Sequence, residues 1–466
     1  MEGVTPVDGS PSCSHIESLP WLIRYNVMVR LDLSDLNALA RASPILYRQV
    51  KQDRPRILYG ELKTMLGNTL VDAYAVYQTS RPPFTTVIRN TEVVQPFLES
   101  YANKLQTEKA GPSLGDLSEE AIVAMWTFQT TIVAPIVEVF ARWTLGNISN
   151  LVETQDYEVS WPPDGDGPHA SHLEIELSAT ERMRILRGMY RFQLYCHLFG
   201  ARCRGKPRFG YPYVELIDVI GLVHDLFEPW EFEEFVCVQW YARMKWEHIC
   251  TTFGDEINET SPLFEEVSPP PPWGKRLSAS GVVGHVISGT ASRGLRPLHA
   301  ILFVGGDHAH RIKLMHEVLA WPTEEYIDFS RVSPYWQFSH RKTNRSERDW
   351  KEFRREPLPF NGDGESDQSN LRPPAAWVML WEGKYSNIRF FDNDLLVWGY
   401  VMWDRDRIDS TGAEKITFSR RLEPLPLGNL DYSSSEEEEE EDDYIEPYYY
   451  SDELEDDESA SLETGS

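Results

Sequence analysis

The sequence predicts a mainly α-helical protein with a smaller mixed α/β part towards the C-terminus, an N-terminal helical bundle and a disordered acidic tail. Three observations lead there. Apolar residues recur three and four apart through most of the first 250 positions, the spacing of amphipathic helices. Short apolar runs of β-compatible composition follow the four prolines at 269–272. Residues 431–466 hold 17 Asp and Glu and no Lys or Arg, a composition that repels itself and cannot bury enough apolar surface to fold.

Residues 1–18 are polar, with Gly, Pro and Ser, and read as a disordered lead-in. Residues 19–58 pack several helix start and stop signals into a short module. Leu22, Ile23, Val27 and Leu31 give the first helix an apolar stripe, and Pro20 suits a first turn, where its missing N–H is no loss. Asp32-Leu33-Ser34 interrupts the run, and Ser34 or Asp32 can cap a second helix carrying Leu36, Leu39 and Ala40. Ser43 then caps a third helix with Pro44 at its first position, and Asp53-Arg54-Pro55 starts a fourth. A bundle this small has too little interior to be stable alone, so it needs the rest of the chain or another protein.

Leu19-Pro20, Val27, Leu31, the Asp35-Leu36 pair and Leu39-Ala40-Arg41 together resemble an F-box, and Arg41-Ala42-Ser43-Pro44 is similar to the variant in filamentous fungi, where long repeat-free C-terminal regions follow. The chain departs from the pattern at Leu22, where the family commonly has an acid, and near Leu46 and Tyr47, where it commonly has a tryptophan. The resemblance implies a substrate-recognition adaptor that docks on a Skp-family adaptor and, through it, a cullin-RING ubiquitin ligase. Leu19, Pro20, Leu22, Val27, Leu31, Leu33, Leu36 and Leu39 would then supply burial at that contact. It implies no catalytic residue and no cofactor, with the ubiquitin chemistry carried by partner proteins and an unknown protein substrate held by the C-terminal region. An ordinary helical hairpin packed on its own domain would show the same periodicity.

The formal charge is −28, of which the tail accounts for 17 and the rest of the chain for 11. Net negative charge argues against nucleic-acid binding, which neutralises phosphates with Lys and Arg, and against an anionic membrane surface. No stretch reads as a membrane span, and the first residues lack a secretory signal. Five cysteines at 13, 196, 203, 237 and 250 form no CxxC pair, so the expected setting is reducing and the expected location cytoplasmic, nuclear or both.

Residues 59–267 read as a helical region. The helical pattern covers 56–79 and stops at Pro82-Pro83, resumes over 91–106, and runs over about 118–145 with Ser118 as cap and a kink expected at Pro135. A loop follows over 150–172. Ser178-Ala179-Thr180-Glu181 is a capping box that starts a helix running to 199. A helix over 230–252 is apolar on nearly every side, which places it in the middle of the core. Residues 268–280 read as a proline-rich linker, and 281–430 as the mixed α/β part, with runs at 300–306 and 377–381 compatible with strands. DNDLLVWGYVMWD, 392–404, reads as a helix closing the core.

Motifs for chemistry are scarce. Asp307-His308-Ala309-His310 with His316 offers three imidazoles but no convincing fourth ligand, and no metal is expected. There is no phosphate loop, dinucleotide fingerprint or nucleophile elbow. Charge against the trend is more informative: between 182 and 208 lie eight Arg and Lys and no acid. Arg184, Arg187 and Arg191 share one side of the capped helix, where they are expected to reach solvent and could bind an acidic or phosphorylated peptide, or the acidic tail folded back. A solvated face paired with surface acids is the plainer expectation. The competing function classes are an enzyme with a pocket among the 15 Trp and a helical scaffold that engages no ligase.

Overall fold

The computed structural model describes residues 14–31, 33–86, 89–107, 111–154, 176–201, 214, 218–219, 222–223, 226–253, 282–303, 308–319, 356–363, 372–381 and 393–419. The lead-in before residue 14, the proline-rich linker, most of the 150–172 loop and the acidic tail lie outside them. Three helices open the chain: α1 (Trp21–Met28), α2 (Leu33–Ala42) and α3 (Pro44–Leu66). Next come α4 (Leu70–Thr79), α5 (Thr91–Thr107), α6 (Glu119–Phe128), α7 (Ala134–Thr154) and α8 (Ala179–Phe199). The remainder are α9 (Pro229–Thr252), α10 (Val282–Ala291), α11 (Leu295–Phe303), α12 (His308–Val318), α13 (Ala375–Trp381), α14 (Asn393–Val397), α15 (Arg405–Thr411) and α16 (Ala413–Ser419).

Three of the capping signals, Ser43, Ser118 and Ser178, act where the sequence places them. Ser43 Oγ accepts from the backbone N–H of Ile45 and Leu46 at 3.2 and 3.3 Å, and Pro44 fills the first position of α3. Ser118 Oγ accepts from Ala121 N at 3.1 Å to start α6. At α8 the box closes both ways: Ser178 Oγ accepts from Glu181 N, and Ser178 N donates to Glu181 Oε2, each at 3.1 Å. The expected third and fourth helices of the N-terminal module are one, because α3 runs without a break through Pro55 to Leu66. Proline removes one intrahelical hydrogen bond, and the apolar series Leu46, Ile57, Leu58, Leu62 and Leu66, buried along the whole helix, outweighs that loss.

The mixed α/β part is not found: the described residues contain no strand. Residues 300–303 belong to α11, and 377–381 to α13. A short apolar run is equally compatible with a buried strand and a buried helix, and here Val378 N donates to Pro374 O at 3.1 Å, so the turn after two prolines starts a helix. The expected closing helix over 392–404 is shorter. It ends at Val397, since Gly399 adopts φ +61° and sends the chain into a 3-10 turn at Tyr400–Met402. Trp398, Tyr400 and Trp403 are nonetheless fully buried.

The path from α6 to α7 is continuous and opens into a π turn at Gln129–Val133, directly before Pro135. The wider turn accommodates the hydrogen bond that Pro135 cannot donate. Glu119–Val152 is long and apolar enough to cross a membrane by length and composition, which corrects the sequence reading. Its Ile122, Met125, Phe128, Val133, Ile136, Val137 and Phe140 are buried in the main core, the placement of a core helix.

At the centre, α9 packs along α8, and its Phe232, Phe235, Val236, Val238, Tyr241 and Trp246 are fully buried, as an all-round apolar helix requires. α8 from before the proline segment and α10 and α14 from after it pack on α9, and residues 1–422 form one compact unit. The α8–α9 contact closes at Gly188, where an added Cβ would stand 2.9 Å from the Glu234 carbonyl oxygen and 3.0 Å from Val238 Cγ2. Backbone cannot yield there as a flexible side chain could. Gly188→Ala is expected to destabilise the protein by about 1–3 kcal/mol through overpacking, read as a lowered midpoint in urea; an unchanged midpoint would show that the two helices can move apart freely.

Candidate functional site

The N-terminal bundle has its own small core of Met28, Leu36, Leu46 and Ile57, with Tyr25, Val29, Leu31, Leu39 and Val50 packed around it. Polar ties fix α1 on α3: Arg24 Nε donates to Gln49 Oε1 at 2.6 Å, Gln49 Nε2 donates to Trp21 O at 3.0 Å, and Arg24 Nη1 donates to Glu17 O at 2.7 Å. Ser43 also donates to the Glu17 carboxylate. These bonds hold the start of α1 with its apolar side turned out. Leu19, Trp21, Leu22 and Ile23 are 37, 40, 56 and 45% exposed, and Tyr47 on α3 is 56% exposed. Trp21 stacks on Tyr25 with ring centroids 5.7 Å apart.

The residues expected at a docking contact therefore divide. Leu19, Pro20 and Leu22 are exposed; Val27, Leu31 and Leu39 are half-buried; Leu36 is buried inside the bundle. Leu33 opens α2, and its side chain lies outside the described part. Leu36 thus serves the module's own core, while Trp21 and Tyr47 belong to the exposed set that the reading by family pattern passed over. The signal for Trp21 was available: an indole in the first turn of a helix, directly after Leu19-Pro20 and before Leu22 and Ile23.

The arginine face is the main correction. Arg184, Arg187 and Arg191 are buried, not solvated, and each meets carboxylates from other parts of the chain. Arg191 Nη1 donates to Glu231 Oε2 at 2.9 Å and its Nε to Asp72 Oδ1 at 3.2 Å. Arg187 forks onto Glu234 with Nε–Oε2 2.6 Å and Nη2–Oε1 2.5 Å, and its Nη1 reaches Glu231 Oε1 at 2.9 Å. Arg184 bridges Asp363 at 2.6 Å and Asp404 at 2.9 Å. The Tyr101 hydroxyl donates to Asp72, and the Arg191 guanidinium lies 4.1 Å from the Phe227 ring centroid. Residues 182–199 of α8 carry no acid, and the neutralising acids come from α4, α9 and the C-terminal segments.

Around Arg187 and Arg191 burial opposes charge, and the balance between burial and partners differs from group to group. For Arg191 burial alone would lower the pKa, but Glu231 and Asp72 outweigh it and hold it above the ordinary value. Burial would raise Glu231, yet Arg191 and Arg187 more than offset that and keep its carboxyl below the usual range. Burial prevails at Asp72 and Glu234, which stay raised despite Arg191 and Arg187 respectively. These guanidiniums are committed to the fold and have no free fork for a phosphopeptide or for the tail.

Glu233, on α9, is fully buried, and no cation pairs with it among the described residues. Burial pushes its carboxyl well above the ordinary range, against the indole N–H groups of Trp381 and Trp377. Cys196 and Cys237 are buried thiols pushed well up by burial, and Cys250 is pushed up to about 12, so none is a nucleophile near neutral pH. His308 and His310 lie on α12, where residues two apart point in different directions, and no metal-holding group of His, Cys, Asp and Glu occurs among the described residues.

No family model matches the chain, and neither the curated proteins nor the solved structures give a match.

Two measurements follow from the ladder. Arg191→Ala leaves Asp72 buried without its cation and Glu231 with Arg187 alone, and is expected to lower the unfolding free energy by about 3–5 kcal/mol, whereas an exposed-face arginine would cost under about 1 kcal/mol. Glu233 binds its proton more tightly folded than unfolded, so its contribution to stability is lost as pH rises above the ordinary carboxyl range. Glu233→Gln, which mimics the protonated acid, is expected to raise stability at pH 7 relative to wild type and to flatten this pH slope. Identical pH profiles for the two proteins would contradict a neutral Glu233.

Proposed function

We propose that residues 19–58 are an F-box-like docking module that engages a Skp-family adaptor of a cullin-RING ubiquitin ligase, with the rest of the helical unit presenting a protein substrate. The observation that carries this reading is the exposed apolar cluster at the start of α1. Leu19, Trp21, Leu22 and Ile23 are held outward by the Arg24 and Gln49 ties, next to Tyr47. Adjacent large apolar side chains on a surface mark interaction sites, and covering the exposed half of a leucine or isoleucine contributes roughly 1 kcal/mol. Leu19-Pro20 opens both this cluster and the motif that resembles the family.

The alternative of an enzyme pocket among the tryptophans has less support, since Trp230, Trp246, Trp377, Trp398 and Trp403 are fully buried and fill core. The substrate surface is assigned to the helical unit without the α8 arginines, whose forks are occupied.

The test is a pulldown of the full-length protein with purified Skp-family adaptor beside the double variant Leu19→Ala, Pro20→Ala. Both positions are exposed, so the variant is expected to keep the wild-type melting temperature and to lose adaptor binding. Undiminished binding by the variant, or no binding by the wild type, would overturn the reading.

A further inference from the structure

Charge is distributed unevenly along the chain. Residues 19–58 carry seven Arg and Lys against three Asp, a net charge of +4 within a chain of −28. The tail alone does not make this contrast: it accounts for −17, and the residues outside both segments for −15. Of the three acids in the module, Asp53 is buried. Four of its cations, Arg41 at the end of α2 and Arg48, Lys51 and Arg54 on α3, are exposed, and none has an ion pair among the described residues.

The α3 cations share the solvent side of the helix with an aromatic ring. Tyr47, Lys51 and Arg54 follow one another at four and three residues, and Arg48 precedes Lys51 by three, while Leu46, Gln49, Asp53 and Ile57 take the buried side. An acid three or four residues from a base stabilises an exposed helix face, and two bases at that spacing repel. Here Arg48 with Lys51 and Lys51 with Arg54 are both like-charged pairs, and no acid lies on this side between Pro44 and Pro55. The helix retains a repulsion that carboxylates from outside would relieve. Tyr47, 56% exposed, adds a ring with a polar tip, and Tyr and Arg are side chains enriched where proteins meet. A further cation reaches the exposed apolar cluster itself, since the Arg56 guanidinium lies 6.0 Å from the Trp21 ring centroid.

We infer that this basic face of α3 receives an acidic surface of the protein that docks on the module, with partner carboxylates meeting Arg48, Lys51 and Arg54 at their solvent-facing ends. The inference rests on the reading of residues 19–58 as a docking module and adds the charge of what docks there. At about 0.1 M salt charges act over about 10 Å, so the local cations, and not the distant tail, set the field that an approaching surface meets. Charges at the rim of a contact act chiefly on the rate of encounter. A nucleic acid fits less well, because a polyanion extending past the patch meets a chain that is otherwise net negative, whereas a protein can confine its carboxylates to the matching area.

The experiment measures association and dissociation rates of the full-length protein with purified Skp-family adaptor at about 0.1 M and about 1 M salt, between which the screening length falls from about 10 to about 3 Å. Wild type is expected to associate at least about tenfold faster at the lower salt. The triple variant Arg48→Gln, Lys51→Gln, Arg54→Gln removes three exposed charges with little change in helix propensity. It is expected to keep the wild-type melting temperature, to associate about tenfold more slowly at the lower salt and equally at the higher, and to change less in dissociation. Lys63→Gln, exposed on the same helix about 14 Å beyond Arg54 along the axis, is expected to keep wild-type rates. Salt-independent association, or wild-type rates in the triple variant, would overturn the proposal and leave the docking reading standing. Equal slowing by Lys63→Gln would trace the effect to overall charge and overturn it too. A DNA oligonucleotide bound by wild type and lost in the triple variant, with adaptor rates unchanged, would assign the face to nucleic acid instead. Absence of adaptor binding by wild type would overturn both readings.

Discussion

Arg191, held between Glu231 at 2.9 Å and Asp72 at 3.2 Å, is the contact on which the arrangement of the helical unit turns. Taking a guanidinium and two carboxylates out of water is costly, and the cost is offset only when all three meet in good geometry. The same holds one turn earlier at Arg187 with Glu234 and Glu231, and again at Arg184 with Asp363 and Asp404. Together the pairings join α8 to α4, to α9 and to the C-terminal segments. A shift of α9 along α8 by one residue would strand buried charges, while the apolar contacts around them would survive in altered form. The ladder therefore sets register between α4, α8, α9 and the C-terminal helices more than it adds net stability.

The C-terminal end of the unit is fixed by the same chemistry at the start of α8. Asp404 accepts from Thr180 Oγ1 at 2.8 Å as well as from Arg184, and Arg407 forks onto Glu181 at 2.6 and 2.7 Å. Glu181 thus serves as both the capping-box acid and an ion-pair partner. The N-terminal module is held differently. Its helix α3 begins in the small core with Leu46 and ends in the main one with Leu62 and Leu66, so a single continuous helix positions α1 against the unit. Rigid placement of this kind suits a docking element, because little side-chain and backbone order remains to be imposed on binding.

Local signals were legible in the sequence, and their global partners were not. Ser43-Pro44, Ser118 and the Ser178–Glu181 box start helices because each acts within four residues. The all-round apolar pattern of α9 placed it correctly at the centre for a similar reason, since periodicity alone carries burial. Arg184, Arg187 and Arg191 were misread as a solvated face because spacing reports which residues share a side, and not what packs on that side. The acids that bury them are up to 220 positions away in sequence, at Asp404. The runs at 300–303 and 377–381 are too short for period to separate strand from helix, and Pro55 was read as a helix start when tertiary burial of Ile57 and Leu58 carries α3 past it. At the candidate docking site the Leu19-Pro20 signature was visible, but the division of labour between exposed Leu22 and buried Leu36 needed the fold.

Hydrogen–deuterium exchange of the full-length protein, alone and with a Skp-family adaptor, tests the central claim most directly, since it asks which face is for binding and which is for folding. The account predicts new protection confined to peptides covering α1 and the first turn of α3, with α8 and α9 already slow to exchange and unchanged. Protection appearing over α8 with none over α1 would contradict it, and would return the arginine ladder to the role of a binding surface.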